Sequence, residues 1–223
     1  MGKVSGAARA MHRQFKFSRA MSALLPDPAR IATAKPELLA DLAYGWGNEG
    51  WSGEPEYLLA CLDAAETASG PLLECGSGLT TLLVGQVAKR RGLTLHSFEH
   101  MPHWAQMVRN CLHKYSIDAA HIHDTPIQSY GAFDWYGLPA LELPDRFAVV
   151  ICDGPPSNTR GGRSGLVPVM RARLEPGCVI LLDDAGRASE QAIAKEWSHE
   201  LPATCRSMGT SQHPFFAITV GNH

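Results

Sequence analysis

The feature that most constrains the fold is the stretch Leu72-Leu73-Glu74-Cys75-Gly76-Ser77-Gly78-Leu79-Thr80-Thr81. It reads as a short buried strand, a glycine turn and the start of a helix. The apolar residues ahead of the turn suit a central strand covered on both faces. Gly76 and Gly78 let the backbone bend sharply and approach a ligand with no Cβ in the way. Leu79, Leu82, Leu83 and Val87 then fall on one helical face, which packs back onto the sheet. A junction of this kind aims free backbone N–H groups and the positive end of a helix at a nucleotide-like ligand.

The rest of the chain repeats the unit. A second strand, Leu93 to Phe98, is followed by Glu99, and a helix begins near Pro102 with Trp104, Val108, Cys111, Leu112 and Tyr115 inward. A third strand runs near Ala119 to His123 and stops at Asp124, ahead of an aromatic loop holding Tyr130, Phe133, Trp135 and Tyr136. The fourth, Phe147 to Cys152, ends at Asp153, where Gly154-Pro155-Pro156 forces a turn. After a polar loop, Ser157 to Ser164, and a helix, Leu166 to Leu174, the fifth strand, Cys178 to Leu182, ends at Asp183 and Asp184. A helix carrying Ile193, Trp197 and Leu201 precedes two strands, Thr204 to Met208 and Phe215 to Val220, which form an antiparallel hairpin.

Upstream, helices are expected over His12 to Leu25, Pro28 to Tyr44 and Glu54 to Ala68. Between the last two lies a glycine-rich loop, Gly45 to Gly53, in which Trp46 and Trp51 form a candidate lid. Alternating β and α units predict an α/β, Rossmann-like, doubly wound and mostly parallel seven-stranded sheet, with helices on both faces.

Each strand therefore closes on an acid: Glu74, Glu99, Asp124, Asp153, then Asp183-Asp184. In a parallel sheet these ends share one edge, where α/β proteins bind ligands. So many carboxylates in one place repel one another unless cations or hydrogen-bond donors share the space. The chain's own charge does not point to a polyanion, since the net value is −2. With no apolar run of membrane-spanning length, no membrane partner is expected. Six cysteines without a C-x-x-C read as reduced thiols, which suits a cytoplasmic protein. The basic opening, with Lys3, Arg9, Arg13, Lys16 and Arg19, is compatible with a transit peptide or basic arm and reads best as a surface helix.

Glu74-Cys75-Gly76-Ser77-Gly78 resembles motif I of class I methyltransferases dependent on S-adenosylmethionine (SAM), which has the form acid-x-Gly-x-Gly. Phe98-Glu99-His100 with Trp104, Trp135-Tyr136, Asp153 to Pro156 and Leu181 to Asp184 resemble motifs of a small O-methyltransferase-like branch, over roughly residues 45 to 220. The resemblance implies residues 1–53 as a helical extension with a lid loop and residues 54–223 as a SAM-binding methyltransferase domain. SAM, with an ammonium, a sulfonium and two ribose hydroxyls, fits a row of acids. Glu74 suits its cationic amino group, and Gly76, Ser77 and Gly78 pass beneath its methionine end. Thr80 or Thr81 is placed to bond its carboxylate, Glu99 the ribose hydroxyls, and Asp124 the adenine amino group. His100 lines the pocket, and Asp153 lies nearest the methyl group and acceptor.

Methyl transfer is an in-line displacement in which the enzyme aligns the partners and deprotonates a hydroxyl acceptor. Asp153 and Asp184 are the expected catalytic residues. They also match two acids that hold Mg²⁺ in cation-dependent O-methyltransferases, although Ala185 stands where Asn would be. Mg²⁺ can be held by one or two carboxylates plus water, so a metal at Asp153 and Asp184 stays open. Zinc at His96, His100, His103, His121 or His123 is disfavoured, because these histidines straddle a strand-to-helix junction. The expected partner is a small-molecule or sugar-like acceptor taken at oxygen, with no nucleic acid, and a homodimer is compatible with the sequence. The rivals are a nicotinamide oxidoreductase, disfavoured because Thr81 replaces the third glycine of G-x-G-x-x-G, and a silent SAM-binding protein.

Overall fold

In the computed structural model, residues 6–47, 53–138 and 142–221 are described. The helices are α1 (Gly6–Leu24), α2 (Pro28–Ala34), α3 (Glu37–Trp46), α4 (Pro55–Thr67), α5 (Leu79–Arg91), α6 (Pro102–Lys114), α7 (Leu166–Met170) and α8 (Ala188–Glu200). The strands are β1 (Leu72–Cys75), β2 (Leu95–Glu99), β3 (Ala120–Asp124), β4 (Ile127–Ser129), β5 (Asp134–Tyr136), β6 (Phe147–Cys152), β7 (Leu174–Leu182), β8 (Ala203–Gly209) and β9 (Pro214–Val220).

Seven strands form one sheet in the order β3-β2-β1-β6-β7-β9-β8. β1, β2, β3, β6 and β7 are mutually parallel, and β9 inserts antiparallel between β7 and β8. This is the expected doubly wound sheet with its closing hairpin. The order reverses at β1, whose neighbours are β2 and β6, and a crevice opens at that point in such sheets.

Alternation along the strands divides the core in two. Leu72 and Ile151 join an apolar cluster with α1 to α6, whereas Leu73, Cys75, Val150 and Cys152 join one with α7, α8 and β5. The N-terminal helices share the first cluster: Phe17, Met21 and Leu24 of α1 and Leu39 and Leu42 of α3 are buried with Leu58 and Leu62 of α4. Lys16 and Arg19 of α1 both bind Asp41 of α3, each at 2.6 Å, so part of the basic opening is neutralised within the fold. No helix among the described residues is long and apolar enough to cross a membrane.

Several expectations need correction. The helix expected from Pro28 to Tyr44 is two helices, because Pro36 bars Lys35 from α geometry and Lys35 sits at φ −141°, ψ 68°. The expected loop from Gly45 begins inside α3, and Gly47 ends that helix in the left-handed region at φ 79°. Trp46 belongs to the helix and packs edge-on to Trp104 at 5.9 Å, while Trp51 lies outside the described residues. The first helix begins at Gly6 rather than His12. The aromatic loop is a two-stranded sheet, β4 paired with β5, with Trp135 and Tyr136 wholly buried. The helix expected to reach Leu174 ends at Met170, and β7 begins at Leu174, four residues early. Cys205 is exposed, unlike the buried Cys61, Cys75, Cys152 and Cys178.

Candidate functional site

The glycine turn is held from below by its own acid. Glu74 points into the α1–α6 side of the sheet, wholly buried, and its Oε2 accepts 2.6 Å hydrogen bonds from Thr81 Oγ1 and Ser97 Oγ. Thr81 Oγ1 in turn accepts from the Gly78 amide at 2.7 Å, closing the first turn of α5. The other oxygen, Oε1, has no hydrogen-bond partner among the described residues. Burial raises the Glu74 carboxyl to about 7, against the pull of the Ser97, Thr81 and Thr80 hydroxyls. Thr81 therefore serves the turn itself; Thr80 is buried one residue earlier.

Gly76 takes φ 94°, which favours glycine. Gly78 is extended, at φ 179°, and a Cβ there would meet nothing within 4 Å. The room beside it opens outward, as a cradle for a ligand requires. Ser77 is pinned from two directions: its amide and hydroxyl donate to Glu99 Oε2 at 3.1 and 2.8 Å, and its carbonyl accepts from Trp104 Nε1 at 2.7 Å.

Glu99 is buried at the end of β2. Its Oε1 accepts from the Met101 amide at 2.9 Å and lies 3.2 Å from His100 Nδ1. Burial pushes its carboxyl up, but these donors and Ser77 outweigh that and hold it below the usual carboxylate range. Asp124, at the end of β3, turns away to an ion pair with Arg109 at 2.8 Å and is exposed. An adenine amino group would have to compete with that arginine.

At the other side of the crossover, the β6 and β7 ends are locked together by Arg163, which is 3 % exposed. Its Nη2 donates to Asp153 Oδ1 at 3.0 Å and to Asp184 Oδ2 at 2.7 Å, and its Nη1 to the Asp183 carbonyl at 2.7 Å. Glu190 of α8 lies 3.8 Å away, and Arg187 also holds Asp184 at 2.7 Å. Arg163 lies in the loop read from the sequence as polar, Ser157 to Ser164; the chain buries it because a guanidinium offers enough donors to satisfy several acids at once. Arg160, three residues earlier, stays exposed and ties its loop to the β4–β5 hairpin through Asp134 at 2.6 Å. Asp184 adopts φ 61°, unusual for a residue with a side chain.

Asp183 is the acid of this group that Arg163 leaves without a side-chain partner. Burial, reinforced by the charge of Asp153, lifts its carboxyl to about 7. Asp153 is also raised by burial, with Arg163 opposing. Ligand atoms of Asp153, Asp183 and Asp184 all lie within 4.8 Å of one another. Arg163 takes one oxygen from each of Asp153 and Asp184, so a divalent ion at these three acids would share them with a buried guanidinium whose positive charge opposes it.

Three features escaped the sequence reading: the burial of Arg163, the position of the Asp183 carboxylate outside that arginine's side-chain hydrogen bonds, and the buried hydroxyl of Tyr136. The Tyr136 hydroxyl is buried without a hydrogen-bond partner among the described residues, at a usual cost of about 1–3 kcal/mol. Asp183 was visible as a strand-end acid, but its freedom from Arg163 was not. Among the described residues, His96 Nδ1 and His123 Nε2 face each other at 3.0 Å in rings 5° from parallel, so each occupies the other's nitrogen.

The model of a protein family described as a methyltransferase domain matches residues 73–185. No curated protein sequence matches the chain. Among solved structures, the chain is similar to precorrin-6y C5,15-methyltransferase from Geobacter metallireducens, at 15 % identity and TM-score 0.53, over 78 % of this chain and 92 % of that one. It is similar to the O-methyltransferase TomG of tomaymycin synthesis from Streptomyces achromogenes, solved with SAM, at 17 % identity and TM-score 0.52, over 88 % and 91 %. It is also similar to the N-terminal domain of human METTL16, solved with S-adenosylhomocysteine, at 15 % identity and TM-score 0.55, over 85 % and 84 %. At these identities the likenesses show the fold; they support neither oxygen as the target atom nor the exclusion of nucleic acid.

Proposed function

Because the chain belongs to the methyltransferase-domain family, we propose that it is a SAM-dependent methyltransferase acting on a hydroxyl of a small-molecule or sugar-like acceptor. The observation that carries this reading is a pair of carboxyls, Glu74 buried and Asp183 half-buried, that have no cationic side chain bonded to them beside an open glycine turn. Glu74 and Asp183 lie along the edge where β1, β6 and β7 end, with carboxyls raised to about 7, and Arg163 leaves both without an ion pair. A cationic ligand relieves that arrangement; a pyrophosphate would worsen it.

SAM supplies an electrophilic methyl on a sulfonium. The chain's residues do the rest. The Gly76–Gly78 turn, stiffened by Thr81 and by Trp104 on the Ser77 carbonyl, offers the bed for the methionine end. Glu99 is the candidate for the ribose hydroxyls, with Ser77 Oγ yielding its bond. Asp153, fixed by Arg163, lies at the crossover beside the transfer position. Asp183 is the candidate base, since a carboxyl near neutrality is suited to taking a proton from a hydroxyl. Asp184, clamped by Arg163 and Arg187, holds the pair in place rather than moving protons.

Calorimetry with SAM, S-adenosylhomocysteine and NAD tests the cofactor: the expected result is binding of the first two, and binding of NAD alone would overturn the reading. Turnover of labelled SAM against a panel of hydroxyl, amine and carbon acceptors tests the rest. Methylation only at nitrogen or carbon would end the oxygen assignment.

A further inference from the structure

Tyr136 ends β5 and is wholly buried. Its ring is fixed against Phe98 and Trp135, with centroids at 5.9 and 5.3 Å, and its carbonyl accepts from the Tyr130 hydroxyl at 2.9 Å. The hydroxyl is thereby aimed at one place, the contact between Gly76 and Gly154 where β1 and β6 end. A Cβ on Gly154 would strike it, and a Cβ on Gly76 would lie 3.8 Å from it. Among the described residues this oxygen has no hydrogen-bond partner.

The fold gains contact from that oxygen, which fills the space beside Gly154, but no hydrogen bond, and a buried hydroxyl without a partner destabilises. Its surroundings are acceptors and acids: the Cys75 carbonyl lies against the same Gly154 position, and the charges of Glu99 and Asp153 reach the ring. A ligand group that is anionic or a bare acceptor would be repelled there, whereas a cation is favoured. A phenolic oxygen presents lone pairs to such a cation.

We propose that the Tyr136 hydroxyl contacts the sulfonium of bound SAM, at the strand crossover between Gly76 and Gly154. The assignment rests on the methyltransferase reading. It adds a cofactor contact that comes from the β4–β5 hairpin rather than from the glycine turn. The hairpin thereby gains a function: it delivers an oxygen to the one point of the edge where two glycines leave room.

The test is Tyr136→Phe, which removes a single partnerless atom. The melting temperature of the apoprotein should equal or exceed that of the wild type. In calorimetry, SAM affinity should fall roughly tenfold or more, while S-adenosylhomocysteine, which keeps the ammonium and ribose but lacks the sulfonium charge, should stay within about twofold. Unchanged SAM affinity, equal losses for both ligands, or a clearly lower apoprotein melting temperature would each overturn the contact. Failure of the wild type to bind either ligand would instead remove the methyltransferase reading, so the two failures are distinguishable.

Discussion

Arg163 Nη2 lies 2.7 Å from Asp184 Oδ2, joining the loop after β6 to the turn after β7 inside the sheet's ligand-binding edge. The same nitrogen reaches Asp153, so one buried cation sets the spacing of the two strand ends nearest the proposed transfer position. Removing one partner of a buried ionic cluster leaves uncompensated charge, which costs more than the cluster contributes. Arg163→Ala should therefore lose about 3–5 kcal/mol of stability in denaturant unfolding. Millimolar Mg²⁺ should leave the wild-type melting temperature unchanged but raise that of the variant, in which Asp153 has lost its guanidinium and Asp184 keeps only Arg187. A Mg²⁺ response in the wild type would restore the metal reading.

The raised carboxyl of Glu74 makes a pH prediction. Its folded value of about 7 lies above its ordinary 4.5, so the folded state holds a proton that the unfolded state has released. That contribution is complete below about pH 4.5 and disappears as the pH rises through about 7. His96, which burial lowers to about 4, works in the opposite sense below about 6.5, so a raw melting curve mixes the two. The clean quantity is the difference between Glu74→Gln and the wild type. It should shift in favour of the variant between pH 5 and pH 8, and a flat difference would mean that Glu74 is ionised throughout.

Gly78→Ala separates folding from binding. The added methyl meets nothing, and an extended backbone accepts alanine, so apoprotein stability should change by no more than about 0.5 kcal/mol. SAM affinity should nonetheless fall, because the open space beside the turn is where the ligand lies. Equal binding by variant and wild type would move the cofactor elsewhere.

Glu99→Ala should weaken SAM binding by about 1–3 kcal/mol through lost charged hydrogen bonds. The structure adds a second effect, since Glu99 also holds the Ser77 amide and hydroxyl and the Met101 amide. Comparing calorimetry with thermal unfolding shows how the two divide, and unchanged affinity would remove the ribose role.

Affinity for SAM should rise from pH 6 to pH 8 in the wild type. A cation favours the ionised forms of Glu74 and Asp183, which become available only as the pH passes about 7. S-Adenosylhomocysteine, with one positive charge fewer, should show a shallower rise; a steeper one would contradict the electrostatic account.

What could be read from residues alone was whatever depends on neighbours close along the chain. The glycine turn after Leu72-Leu73, the apolar run from Phe147 to Cys152 and the acids at strand ends lie within a few residues of the signals that reveal them. Pro36 was such a signal too, and it marks the break between α2 and α3. The alternating pattern of strands and helices then determined the sheet, because parallel strands joined by helices have few ways to pack.

Tertiary structure alone decided which charges are paired and which polar atoms are left over. Arg163 reads as a loop cation until β6 and β7 bring Asp153 and Asp184 to it from 10 and 21 residues away. Tyr136 reads as a loop aromatic until Gly154 and Gly76 leave room for its hydroxyl. Periodicity reports which face a side chain takes, but the electrostatics of a site depend on distances between segments that meet only when the sheet closes.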